Sequence, residues 1–333
     1  MVRASGCAGL AAFALILQDP SAPQARIGEP VPEHVFREFV AGGDGRQRLS
    51  EFRGQPVFIV NWTDSDFGIG AATQARELAT DLVPEGLVLI LMDSHNKTDE
   101  EIQASVMRLF PGSPARLTRT QKLPIAYEDN GPPPDVALIG VDGTLLVAGS
   151  YTVDFGKAEK LVKAELKKRK LGWGQHATAR AARGLAFGQQ KLAAARKLVD
   201  EALATEPEQA ELLAVRAEVE DRFATWEASV DFLMQDGRFV QALEAVQALA
   251  ATAQGHPEWE RRAAALLEHL GTPEATAELE LDRKLAGLLA PLHKKKPTDG
   301  DVGKLRKFAD SAGETRVGRR AQRFAEIAAL AVK

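Results

Sequence analysis

Asn61 to Thr73 reads NWTDSDFGIGAAT and comes directly after the apolar run VFIV at Val57 to Val60. An unbroken apolar run of that length predicts a strand covered on both faces. Two readings of the segment after this strand compete. GIGAAT approximates the glycine loop of a dinucleotide site, where glycines make a tight turn and let the backbone approach a pyrophosphate. Asp93, closing the next apolar run LVLILMD, stands about where a ribose-binding carboxylate would. Against this, TDSDF separates strand from glycines, the third glycine is Thr73, and the insertion holds any phosphate away from the helix N-terminus.

Between the two apolar runs, AATQARELATDL carries Ala72, Ala75, Leu78, Ala79 and Leu82 at helical spacing. Strand, helix, strand predicts a parallel pair joined by a right-handed crossover. Thr98 with Glu101 is a capping box opening a further helix, which Pro111 and Gly112 stop after Phe110. DVALIG and TLLVAG, joined through Val141-Asp142-Gly143, predict an antiparallel hairpin, and FGKAEKLVKAELKK a closing helix. The fold class expected is α/β, a mixed sheet with helices on both faces.

Several landmarks occur in a recognisable order: G-x-x-x-P at Gly28 to Pro32, L-S-x-F-R-G-x-P at Leu49 to Pro56, Pro134 before a strand, and V-D-G at Val141 to Gly143. Over residues 26 to 170 the chain thereby resembles the redoxin branch of the thioredoxin-like superfamily, which includes the alkyl hydroperoxide reductase and thiol-specific antioxidant proteins and the periplasmic thiol-disulfide reductases. In that family a cysteine at the start of the helix after the first core strand carries the chemistry, because the helix N-terminus favours the thiolate. With Trp62 as the aromatic before a dithiol motif, Asp66 and Ile69 occupy the cysteine positions. The peroxidatic pattern D-F-T-x-x-C instead puts Gly68 at the threonine and Ala71 at the cysteine. Neither register supplies sulfur, and a carboxylate does not perform thiol-disulfide exchange. The resemblance therefore implies a relative without the family's activity. Pro134 matches the family's cis-proline, so the Pro133–Pro134 bond is expected to be cis. Trp62, Asp64, Asp66 and Pro134 are the candidate binding residues.

Asp64 and Asp66 come after one strand, and Asp93 and His95 end its expected neighbour. Four such donors at one edge could hold a divalent metal and support an enzyme of another kind. The competing reading is that Asp64 or Asp66 caps the following helix while the others solvate a loop end. No cofactor is implied.

After LGWGQH at Leu171 to His176 the composition changes to alanine- and leucine-rich helical periodicity. Gly184 to Pro207 resembles a tetratricopeptide unit, with Gly184, Phe187, Ala195, Ala202 and Pro207 in place. A second, degenerate unit starts near Trp226 with Leu233, Gly237, Ala242 and Val246, and a third pair of helices turns at Gly313-Glu314-Thr315. The expected domains are residues 1–25 as signal and linker, 26–172 thioredoxin-like, and 173–333 all-α helical repeat.

The 333 residues are 45% hydrophobic and 26% charged with net charge −4, which argues against nucleic acid. KKRK at Lys167 to Lys170 and HKKK at His293 to Lys296 read as cations at helix ends. The sole cysteine, Cys7, opens the apolar segment Cys7 to Leu17 between Arg3 and a polar exit, the pattern of an export signal. The expectation is an exported, periplasmic or extracytoplasmic protein, membrane-bound only through that segment if uncleaved, and redox-inactive. It would bind a protein or peptide partner through its helical repeats.

Overall fold

The computed structural model describes residues 23–63, 65–94, 97–126 and 135–333. Five strands form one sheet: β1 (Val57–Trp62), β2 (Val88–Asp93), β3 (Arg116–Arg119), β4 (Val136–Ile139) and β5 (Leu145–Gly149), in the order β3-β2-β1-β4-β5. β1, β2 and β3 are parallel, with Val57 opposite Val88 and Ile90 opposite Arg116; β4 and β5 run antiparallel, β4 against β1. This is the mixed sheet the sequence predicts, and the parallel unit, hairpin and closing helix form the first half.

Strand alternation sorts the core into two layers. Phe58, Val60 and Trp62 face one side with Leu89 and Leu91, under α1 (Asp66–Leu82), α2 (Asp99–Leu109) and α3 (Tyr151–Leu171). Val57 and Ile59 face the other with Ile90 and Met92, under the extended segment through Phe36 and the 3-10 turn Leu49–Phe52. Helical cover is therefore unequal on the two faces. Thr98 caps α2 with Glu101 answering, as the capping box predicts. β3 is an unforeseen edge strand, because its sequence RLTR looks polar.

The all-α half comprises α4 (Ala177–Arg183), which continues into a π-helical turn Gly184–Gly188, α5 (Leu192–Leu203), α6 (Ala210–Gln235), α7 (Phe239–Ala253), α8 (Pro257–Leu270), α9 (Pro273–Leu289), α10 (Asp299–Ala312) and α11 (Arg316–Val332). Turns of two to six residues join most of them, so sequence neighbours run antiparallel. The second unit does not start at Trp226. Nothing between Ala210 and Gln235 breaks a helix, and Trp226 lies inside one 26-residue element. Among the described residues no helix is long and apolar enough to cross a membrane; the apolar segment Cys7 to Leu17 lies outside them.

LGWGQH reads as a linker, yet it is packed. Trp173 is buried with Phe187 at 5.3 Å, and Arg183 lies over its indole at 5.4 Å while donating to its carbonyl at 3.0 Å. Gly172 has φ +80°, and a Cβ there would meet the Arg180 carbonyl, so only glycine fits.

Contacts beyond the junction join the halves. Arg238 donates to Gly43 O at 2.6 Å, and Arg53 pairs with Glu218 at 3.4 Å. Ala104 of α2 packs with Ile327 and Ala331 of α11.

Candidate functional site

β1 ends at Trp62, and the chain turns into α1 at Asp66. Ser65 is the N-cap: its Oγ accepts from Gly68 N at 3.1 Å and lies 2.7 Å from Thr63 Oγ1. This corrects the expectation that Asp64 or Asp66 caps the helix. Asp66 is the first helical residue, where its carboxylate complements the positive end of the helix dipole. GIG lies wholly inside α1 and so forms no loop before it. Gly68 is needed for another reason: a Cβ would come within 2.4–2.5 Å of Thr63 atoms, so glycine lets the Thr63–Ser65 turn fold onto the first helical turn. A phosphate-cradling loop is absent at this point, and the dinucleotide reading fails on geometry.

The two cysteine registers separate in space. Asp66 is exposed and Ile69 half-buried on the first turn, whereas Ala71 is buried against the sheet. The dithiol register therefore falls where a thiolate could meet substrate, and the peroxidatic one falls in the core.

Trp62 requires a correction as a binding residue. It is 1% exposed, on the helix-covered face, with its ring edge-on to Phe110 at 5.5 Å. Its Nε1 has no hydrogen-bond partner among the described residues. Asp93 is buried opposite Trp62 in the parallel register, so the two strand ends are neighbours as expected. Asp64, His95, Pro133 and Pro134 lie outside the described residues. With them out of view the four-donor set is incomplete, and among the described residues no group of three His, Cys, Asp or Glu could hold a metal.

An exposed apolar rim beside the site escaped the sequence reading. Phe67, half exposed on α1, meets Tyr151 edge-on at 5.2 Å; Tyr151 meets Phe155 at 5.3 Å, and Phe155 meets Phe58 of β1 at 5.6 Å. Val153, at 75% exposure, is a further exposed apolar side chain on the first turn of α3. Tyr151 N donates to Asp135 Oδ2 at 3.2 Å, and Asn61 N to Asp135 O at 2.8 Å, which ties the rim to β1 and to the residue after Pro134. Burial pushes the Tyr151 phenol above its ordinary pKa. A large aromatic just inside a polar helix start was the available signal. The rim can hold apolar side chains.

No family model matches the sequence, and no curated protein matches it. Among solved structures, the chain is similar to a "putative protein disulfide isomerase" from Bacteroides thetaiotaomicron, at 21% identity over 43% of this chain and 91% of that one, TM-score 0.33. It is also similar to a thiol:disulfide interchange protein from Bacteroides sp., at 12% identity over 42% and 91% respectively, TM-score 0.30. At those values neither likeness bears on what this chain binds or does.

Proposed function

We propose that the protein is an exported, redox-inactive thioredoxin-like binding protein, in which a tetratricopeptide-like helical half presents or steadies the first half for a protein or peptide partner. The observation that supports it is the start of α1. The positions a dithiol would take carry Asp66 and Ile69, the Ser65 hydroxyl occupies the Gly68 amide, and the apolar surface of Phe67 and Val153 stands alongside. A helix N-terminus that favours a thiolate here favours a carboxylate instead. What is left is a surface that can dock an extended chain without reacting with it. The N-terminal pattern of Arg3, Cys7 to Leu17 and the polar exit supports export.

Incubation of the purified chain with insulin and dithiothreitol, and separately with hydrogen peroxide and a thiol donor, tests the reading. The expected rates equal the protein-free blanks in both assays. Catalytic turnover in either assay overturns it.

A further inference from the structure

A cleft of about 410 Å³ runs between the 3-10 turn Leu49–Phe52 and the middle of α6, with Arg48, Arg53, Phe187, Arg222, Ala224 and Ala228 on its walls. That volume is within the range of small-molecule sites. The cleft walls carry three arginines and three carboxylates, Glu51, Glu218 and Asp221, but the guanidiniums there are unequally paired. Asp44 is held by two guanidinium forks, Arg116 at 2.6 and 2.7 Å and Arg46 at 2.7 to 3.1 Å. Arg222 reaches only Gln55 Oε1, at 3.4 Å, and Arg46 already holds that oxygen at 2.5 Å. Its guanidinium otherwise lies 5.7 Å from the Trp226 ring centre, and among the described residues no carboxylate pairs with it.

Burial, then the charges of Arg46 and Arg169, weigh against the charged form of Arg222, and Asp44 is the one carboxylate prominent in opposition. Arg222 is half-buried, so it loses part of its hydration, and a paired anion would restore that loss. Two of the three carboxylates on the cleft walls are engaged elsewhere. Glu218 takes Arg183 at 2.8 Å, and Glu51 accepts from the backbone of Gln47 and Arg48 at 2.7 and 2.6 Å. Asp221 is exposed and precedes Arg222 on the helix, so the two side chains diverge.

The geometry points to an oxyanion site: the cleft takes a carboxylate or phosphate carried on an apolar stem, the oxyanion on Arg222 and the stem against Phe187, Ala224 and Ala228. A planar fork suits either head group bidentately. The site is separate from the rim at Phe67 and does not depend on the function proposed for it.

Calorimetric titration of the full chain at constant ionic strength with phenylacetate, phenyl phosphate and inorganic phosphate is the test. One-site saturable binding of a phenyl-bearing anion is expected, about tenfold tighter than inorganic phosphate, since a partly buried stem contributes that much. The tighter of the two phenyl anions identifies the head group. Arg222→Gln should abolish the binding, and so should Ala228→Trp, which fills the cleft from an exposed position and keeps every arginine. Arg283→Gln, on the exposed side of α9, should leave it unchanged. If Arg222→Gln does not fold, Ala228→Trp decides alone. No saturable heat from either phenyl anion, inorganic phosphate binding as tightly as both, or undiminished binding by the Ala228→Trp protein overturns the assignment.

Discussion

The ring of Phe187 lies against the backbone of Gly54 so closely that a Cβ at residue 54 would come within 2.2 Å of Phe187 Cδ1. Gly54 also has φ +80°, a conformation L side chains rarely adopt. Two independent constraints thus exclude a side chain at the point where the halves meet. Gly54→Ala is expected to destabilise the full chain by roughly 2–3 kcal/mol, from backbone strain plus overpacking. Urea unfolding measures it; an unchanged midpoint would mean that Phe187 is not lodged there.

The halves are expected to unfold together. Val141 of the hairpin belongs to the core of Trp173 and Phe187, and Met107 of α2 packs against the core around Val230 and Leu285, so side chains of the first half help to close the cores of the second. Thermal unfolding followed by far-UV circular dichroism and by tryptophan fluorescence should give one coincident transition. Two resolved transitions would show that the shared cores contribute little.

Acid should loosen the molecule through Asp44. Burial alone would raise its carboxyl, but Arg46 and Arg116 overcome that and hold it far below the ordinary carboxylate range. A depressed folded-state value means that the stability it contributes is complete above the unfolded value, about 3.9, and is lost as pH falls below it. Asp44→Asn, leaving both guanidiniums without their shared anion, should cost on the order of 2–3 kcal/mol at pH 7. The gap between variant and parent should narrow at pH 3. A gap of the same size at both pH values would remove the ion cluster from the account.

Restoring sulfur should discriminate the two registers. In an Asp66→Cys, Ile69→Cys double variant both thiols lie on the first turn of α1, and they should react with a thiol reagent under native conditions and support insulin reduction. A thiol from Ala71→Cys, at 1% exposure, should react only after unfolding. Rapid native reaction at residue 71 would reverse the register.

The rim beside the helix start should carry partner contacts. Phe67→Ser with Val153→Ser removes exposed apolar surface, so stability should change by less than about 0.5 kcal/mol. Affinity for an extended apolar peptide, measured by fluorescence anisotropy, should fall severalfold. Equal affinity in parent and variant would move the docking surface elsewhere.

Much of the first half is legible in the sequence because its signals are local. The VFIV and LVLILM runs, the Thr98 capping box and the hairpin around Asp142-Gly143 each act within a few residues, and each appears where expected. What was hidden depends on distant partners. β3 presents two arginines, and Arg116 is buried only because Asp44, far upstream, neutralises it. Trp62 looks like an aromatic at a site edge, yet the pleat of β1 turns it into the core. LGWGQH has a linker's composition, but Arg183 and Phe187 enclose its tryptophan. Arg222 is one more charge on a helix until the two halves meet across it. Of the candidate site, Asp66 and Ile69 are named by register alone, while Ser65 as the cap and the exposure of Phe67 and Val153 needed three dimensions.

The contact of α2 with α11 sets an order of events as the chain is made. Ala104 and Met107 are covered by α11, through Ile327 and Ala331 and the core they adjoin. During synthesis the βαβ unit can form while that face waits uncovered for everything between Leu109 and Arg316 to emerge. Closure is then a long-range, high contact-order step, slower than anything within either half. Until it occurs, an apolar strip is open to whatever holds unfinished chains, so the vulnerable period lasts until α11 docks.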